Sequence, residues 1–143
     1  MQVTVIPRKR PPCPVSRIRR LVETILVREG TPRATALTVL ITGDPQIRDL
    51  NARFRGKRRP TNVLAFSNET ASGFPRESEE YLGDIAISMD RARVEARAEG
   101  ITITSRVLRL VAHGVLHLLG FDHEDNEQAR VMEGKEALYL ESS

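Results

Sequence analysis

All three histidines of the chain fall in one short stretch, His113-Gly-Val-Leu-His117-Leu-Leu-Gly120-Phe-Asp-His123. His113 and His117 are four residues apart, so on a helix they share a face, one turn above the other. Gly120 tolerates a positive φ and can end that helix, which lets the chain turn and bring His123 back towards the first two. Two ligands on a rigid helix and a third delivered by a turn make a three-imidazole metal site. Three neutral nitrogens suit Zn²⁺ best, with other first-row divalent metals as alternatives, and one Zn²⁺ per chain is expected. Three protein ligands leave a coordination position for water, the mark of a catalytic site. A closed, structural site would need a fourth ligand. The only cysteine, Cys13, is remote in sequence, which leaves Asp122 or Asp84 for that part.

Zinc on three imidazoles lowers the pKa of its water to about 7 and polarises carbonyl or phosphoryl oxygens. The histidine spacing is also that of metzincin proteases, so a metzincin-like metalloprotease is the obvious rival. Those enzymes carry their general base, a glutamate, directly after the first histidine. Gly114 stands there, and losing such a base removes a factor of about 10²–10⁴ in rate. The densest basic run, Arg53-Phe-Arg55-Gly-Lys57-Arg58-Arg59-Pro60, points instead to phosphate. A guanidinium fork matches phosphate oxygens and can stabilise charge developing on phosphorus.

Charge is split along the chain. Residues 1–60 hold 14 of the 22 Lys and Arg but only four acids, Glu23, Glu29, Asp44 and Asp49, for a net +10. The remainder carries −7, and the whole +3. This implies either a cationic surface for a polyanion or arginines scattered over solvated faces. Aromatic residues make up 4% and tryptophan is absent, which argues against recognition by rows of stacked bases. Affinity for a nucleic acid would then rest on phosphate charge and depend on salt.

The elements that must position these residues follow from periodicity. With 143 residues, a single metal-dependent hydrolase domain spanning 1–143 is expected. The start, MQVTVIPRKR, reads as a short strand and lacks the apolar core of a signal peptide. A lone cysteine and the lack of an apolar run long enough for a bilayer fit the cytoplasm. Strands are expected at Gln2–Ile6, Ala36–Thr42, Asn62–Phe66 and Tyr81–Ser88, with Gly83 marking a bulge or close approach. Helices are expected at Val15–Glu29, from Asp44 as cap with Ile47, Leu50 and Phe54 inward, and over Asp90–Ala98. The long helix should run from about Thr104 to Leu119, burying Leu108, Val111, Ala112, Val115 and Leu119. Arg106, Arg109, His113 and His117 would form a second stripe. Asp125 and Gln128 form a capping box for a last helix that buries Val131, Met132, Ala137, Leu138 and Leu140. Asn68–Glu80 has the composition of a surface loop. The expected fold is α/β (α+β): a small mixed four-stranded sheet packed with about five or six helices, one of them a zincin-like metal helix.

HGVLHLLGFDH resembles the signature of the YbeY family, bacterial rRNA maturation factors and metal-dependent endoribonucleases, which runs His-Gly-x-Leu-His-Leu-x-Gly-Tyr-Asp-His. Phe121 replaces the usual tyrosine. Leu50–Phe66 resembles the family's second block, with Arg55 at its functional arginine and Pro60-Thr61-Asn62-Val63-Leu64 at its Pro-Thr-Asp/Asn-Val-Leu. Leu82-Gly83-Asp84-Ile85 resembles a third. Ala65 and Ser67 stand where Ser and Pro are usual. The resemblance implies a zinc-bearing cytoplasmic protein that matures the 3′ end of small-subunit (16S) rRNA and serves ribosome quality control. Its implied partners are the ribosomal small subunit, a small-subunit ribosomal protein and an Era-type GTPase. His113, His117 and His123 would hold the metal and Arg55 would assist. Metal-bound water or hydroxide would attack the phosphodiester, with direct activation of the ribose 2′-OH as an alternative. Arg53, Lys57, Arg58 and Arg59 would either position the RNA backbone or sit solvated. Asp122 would either orient a ligand imidazole or form the turn, and Asp84 either faces the cleft or bonds locally. A non-catalytic ribosome-assembly factor with a structural zinc is the remaining alternative.

Overall fold

The computed structural model describes residues 1–59, 61–67 and 81–141. The expected loop over 68–80 and Pro60 lie outside the described residues. In chain order the elements are β1 (Gln2–Pro7), α1 (Val15–Arg28), β2 (Ala36–Thr42), α2 (Asp44–Arg55), β3 (Val63–Ser67) and β4 (Tyr81–Ser88). Then come α3 (Met89–Glu99), α4 (Ile103–Leu118) and α5 (Asn126–Glu141). The sheet order is β1-β2-β4-β3. β1, β2 and β4 run parallel, and β3 pairs antiparallel with β4 at the edge. This is the expected mixed four-stranded α+β architecture.

Side chains alternate along each strand, so the sheet feeds two cores. Leu37, Val39, Ile41, Ile85 and Ile87 join α1, α3, α4 and α5 in the larger one. Leu64, Phe66 and Ala86 meet Ile47 of α2 in a smaller core on the opposite face. Each fully buried aliphatic side chain contributes about 1.5–3 kcal/mol. In α1 the buried residues are Ile18, Leu21, Val22, Ile25 and Leu26, the expected stripe. Gly83 answers both expectations for it. The register with β2 steps from Ala36 opposite Tyr81 to Leu37 opposite Gly83, leaving Leu82 out as a bulge. Its φ is 151°, and a Cβ there would lie 2.2 Å from the Phe66 carbonyl oxygen.

Three helices differ from expectation. Gly43, not Asp44, occupies the cap position of α2. The Asp44 carboxylate accepts from Ser88 Oγ (2.6 Å) and faces Arg91 Nε (3.5 Å), tying α2 to α3. On α2 the buried residues are Ile47 and Asn51, while Phe54 is 37% exposed and rests against the Phe66 ring. α4 buries Val107, Leu110, Gly114 and Leu116 beyond the expected stripe, because the sheet and three helices all pack on it, and Leu119 is only half-buried. α5 has the expected cap, with Gln128 N–H donating to Asp125 Oδ1 (2.8 Å). The Gln128 side chain accepts from Glu124 N–H (3.3 Å) and not from the cap residue. α5 buries Met132, Glu136 and Tyr139, whereas Val131 and Leu138 are 43% and 50% exposed. Among the described residues no helix is long and apolar enough to cross a membrane.

Candidate metal centre

α4 carries His113 and His117 with their rings stacked, 7° apart in plane and 6.4 Å between centroids. The helix ends at Gly120, whose φ is 101°, and the Phe121 N–H donates back to the Leu116 carbonyl at 3.1 Å. That turn brings the His123 ring to 5.6 Å from His113 and 6.5 Å from His117. Asp122 shapes it: its Oδ1 accepts from the His123 N–H (2.8 Å) and lies 3.5 Å from His123 Nδ1.

With Zn–N bonds of about 2 Å and near-tetrahedral angles, three imidazoles on one zinc place their centroids roughly 5 Å apart. The rings stand wider than that, and among the described residues no three His, Cys, Asp or Glu side chains close into a cage. The donor chemistry fits a divalent ion all the same. Burial lowers the pKa of the His117 imidazole from its ordinary 6.5, against the opposing pull of Asp122. The cationic neighbourhood of Arg55 and the other two imidazoles lowers it further. The neutral ring is the form that binds metal. Among the described residues the buried His117 Nδ1 has no hydrogen-bond partner, a costly state for a polar atom. His113 has one nitrogen engaged: Nδ1 is 3.0 Å from Glu136 Oε2, so Nε2 is the nitrogen left for a ligand.

Arg55 reaches this site from the far side of the sheet. It ends α2, which covers the smaller core, and passes around the edge of β3. Its Nη2 donates to the Ala65 carbonyl at 3.1 Å, and its guanidinium carbon stands 5.9 Å from the Phe66 ring centroid. There it shares a cavity of about 240 Å³ with Thr61, Asn62, Val63, Ala65, His113, Gly114, His117 and His123. Among the described residues that line it, none is a carboxylate. A second cavity, on the other side of His113 and His123, is lined by Arg106 and Arg109 but also by Glu99, Glu133 and Glu136.

The remaining sequence candidates fall in different places. Arg53, Lys57, Arg58 and Arg59 are exposed and do not line the Arg55 cavity. Buried Asn51 ties down their loop, its Nδ2 donating to the Arg59 carbonyl at 2.9 Å and its own carbonyl accepting from the Lys57 N–H at 3.3 Å. Asp84 pairs across the ladder with Phe66, hence on the α2 face, and its Oδ1 accepts from the Tyr81 hydroxyl. The histidines lie over Ile85 and Ala65, on the opposite face. Cys13 packs at the margin of the larger core.

Two features of the site escape a reading of spacing alone. Glu136 comes from α5, and only its place in the buried stripe with Met132 and Tyr139 marks it. The role of Gly114 is steric: a Cβ there would lie 2.7 Å from Ile85 Cγ2. The position that carries the general base in metzincins points here into the sheet and has no room for a side chain.

Comparison with known proteins gives one consistent family. A family model described as endoribonuclease YbeY matches residues 9–143. A Geobacter sulfurreducens protein named endoribonuclease YbeY is 43% identical over 139 residues, covering 95% of this chain and 91% of the relative. One of the same name from Chelativorans is 41% identical, covering 87% and 76%. The solution structure of the Thermotoga maritima protein TM1509 aligns with a TM-score of 0.64 at 27% identity, covering 98% of this chain and 87% of that one.

Proposed function

The chain belongs to the YbeY family of endoribonucleases, and from that premise we propose that it hydrolyses single-stranded RNA in the cavity shared by Arg55 and the three imidazoles. One observation carries this reading. The guanidinium and the three histidines line the same small space, and among the described residues that line it none is a carboxylate.

In this reading His113, His117 and His123 hold one Zn²⁺, which when bound supplies Lewis acidity towards water and phosphoryl oxygen at neutral pH. The chain's own residues do the rest. Arg55 is aimed by the Ala65 carbonyl and the Phe66 ring. It keeps its other N–H donors for the scissile phosphate and the charge that grows on it. Asn62 is held by Glu95, at 3.3 and 3.2 Å, and keeps the loop that carries Thr61 and Asn62 beside the histidines. Arg53, Lys57, Arg58 and Arg59 hold flanking phosphates without reading bases. Choice of the cut site then falls to partners. The proposed setting is cytoplasmic maturation of the 16S rRNA 3′ end and ribosome quality control, with the small subunit, one of its proteins and an Era-type GTPase as partners.

Peptide hydrolysis fits less well. A peptide would extend the sheet at the β3 edge, where Arg55 already occupies the Ala65 carbonyl, and Gly114 leaves no place for the base. The test joins metal analysis to cleavage of a labelled single-stranded RNA by wild type, His117→Ala and Arg55→Ala. One zinc per chain is expected in wild type and in Arg55→Ala. Cleavage should be abolished in His117→Ala and slowed by about 10²–10³ in Arg55→Ala. Equal cleavage by all three would expose a contaminating nuclease and reject the proposal. Joint loss of metal and fold in His117→Ala would favour a structural ion in a non-catalytic assembly factor.

A further inference from the structure

The most buried carboxylate beside the histidines belongs to Glu136, whose side chain is 7% exposed. It is fully engaged. Oε2 lies 3.0 Å from His113 Nδ1, and Oε1 lies 3.4 Å from Arg109 Nε. Its backbone is fixed as well, because Met132 one turn before and Tyr139 one turn after are both buried, at 1% and 2% exposure. α5 therefore cannot rotate to move Glu136 without uncovering core. Arg109, one turn before His113 on α4, supplies the counter-charge that such a buried anion needs.

We propose that Glu136 is a positioning residue for the metal site: its carboxylate, backed by Arg109, holds the His113 imidazole in the Nδ1–H tautomer and leaves Nε2 as the donor for a metal ion. A carboxylate accepts hydrogen bonds and does not donate them, so the ring nitrogen facing it must carry the proton. A free histidine side chain favours the opposite tautomer, with the proton on Nε2, where it would block a ligand. Glu136 reverses that preference before any ion arrives, and it stops the ring from turning about its χ2 axis. The inference rests on His113 being a ligand, as proposed above. It adds that the ligand's orientation comes from the last helix and not from the signature stretch.

The test uses the full chain and three readouts. Nitrogen-15 long-range NMR on metal-free protein at mildly alkaline pH reads the His113 tautomer. Competition against a chromophoric chelator reads zinc affinity, and circular dichroism with thermal unfolding reads the fold. In wild type the Nδ1–H form should dominate. In Glu136→Met, close in size but with no acceptor, the Nε2–H form should take over and zinc affinity should fall about 10- to 100-fold. Glu136→Gln keeps an acceptor oxygen and should keep the tautomer with a smaller loss. A folded Glu136→Met protein that retains the Nδ1–H form, or that binds zinc as tightly as wild type, would overturn the proposal. So would a fall in affinity without a change of tautomer, since that is the mark of a purely structural role. Should Glu136→Met fail to fold, zinc affinity in Glu136→Gln equal to wild type overturns it instead. If zinc leaves the His113 resonances of wild type unmoved, the metal reading fails, while the tautomer result still judges Glu136.

Discussion

At the residue scale the site rests on geometry that charge alone does not supply. Arg55 is held by an N–H bond to the Ala65 carbonyl and by the face of Phe66, so its planar fork is already oriented. A lysine keeps the charge but loses the fork, the anchor and much of the stacking. Arg55→Lys should therefore recover only a small part of the roughly 10²–10³-fold lost in Arg55→Ala. Single-turnover cleavage of a labelled RNA measures this, and wild-type rates in Arg55→Lys would reduce Arg55 to a point charge. The grouping of the three histidines was legible in the sequence because a helix plus a turn converts their spacing into position, whereas Arg55 was singled out of its basic run only by the family resemblance. Glu136 was not. Nothing local distinguishes it from the exposed acids of the same helix, and its partner His113 lies on another element.

At the element scale, α4 makes the site possible by lying close on β4. Gly114 sets that distance, since a methyl group there would come within 2.7 Å of Ile85 Cγ2. Gly114→Ala should cost about 1–3 kcal/mol by overpacking, seen as a lower denaturant midpoint with an unchanged slope, and it should weaken zinc binding by displacing His113. Undiminished stability would mean that α4 has slack against the sheet. Ties between elements are also visible in the tyrosines. Burial, and then the hydrogen bond to Glu29, push the Tyr139 pKa up to about 12, joining α5 to the end of α1. Burial and then Asp84 push Tyr81 up to about 12 as well. These are the only two tyrosines, so ultraviolet titration of native protein should show no tyrosinate at the ordinary value near 10. A raised folded pKa favours the protonated form, so this stability is complete below pH 10 and drains away between 10 and about 12. An ordinary titration midpoint in folded protein would refute both ties. The strands and α1 were legible because their apolar spacing has a single solution. α5 and its cap were legible too, but its buried face was not, because apolar residues lie on more than one of its sides. The contacts of Tyr139 and Lys135 with Glu29 select the side that docks.

At the scale of the whole molecule, charge decides how a polyanion approaches. The split seen in the sequence, +10 over residues 1–60 and −7 beyond, has a spatial counterpart at the histidines. Among the described residues, the cavity on one side is lined by Arg55 and no acid, while the cavity on the other is lined by Glu99, Glu133 and Glu136 beside its two arginines. In the proposed reading an RNA strand would be drawn to the first side and repelled by much of the second, with the sheet edge at β3 and the basic loop after α2 as its approach. With so few aromatic rings to stack on bases, release of counterions should supply most of the affinity. If Arg53, Lys57, Arg58 and Arg59 each neutralise one phosphate, the slope of log affinity against log salt should be about −3. Between 50 and 200 mM salt that amounts to roughly a 50-fold loss. Replacing Arg58 and Arg59 by alanine should halve the slope and weaken all single-stranded sequences alike, while zinc content and the unfolding midpoint stay unchanged. Filter binding or anisotropy across a salt series measures both quantities. A slope near zero in wild type, or one that the double variant leaves unaltered, would remove the basic loop from the binding surface and leave Arg55 as the cation the RNA meets.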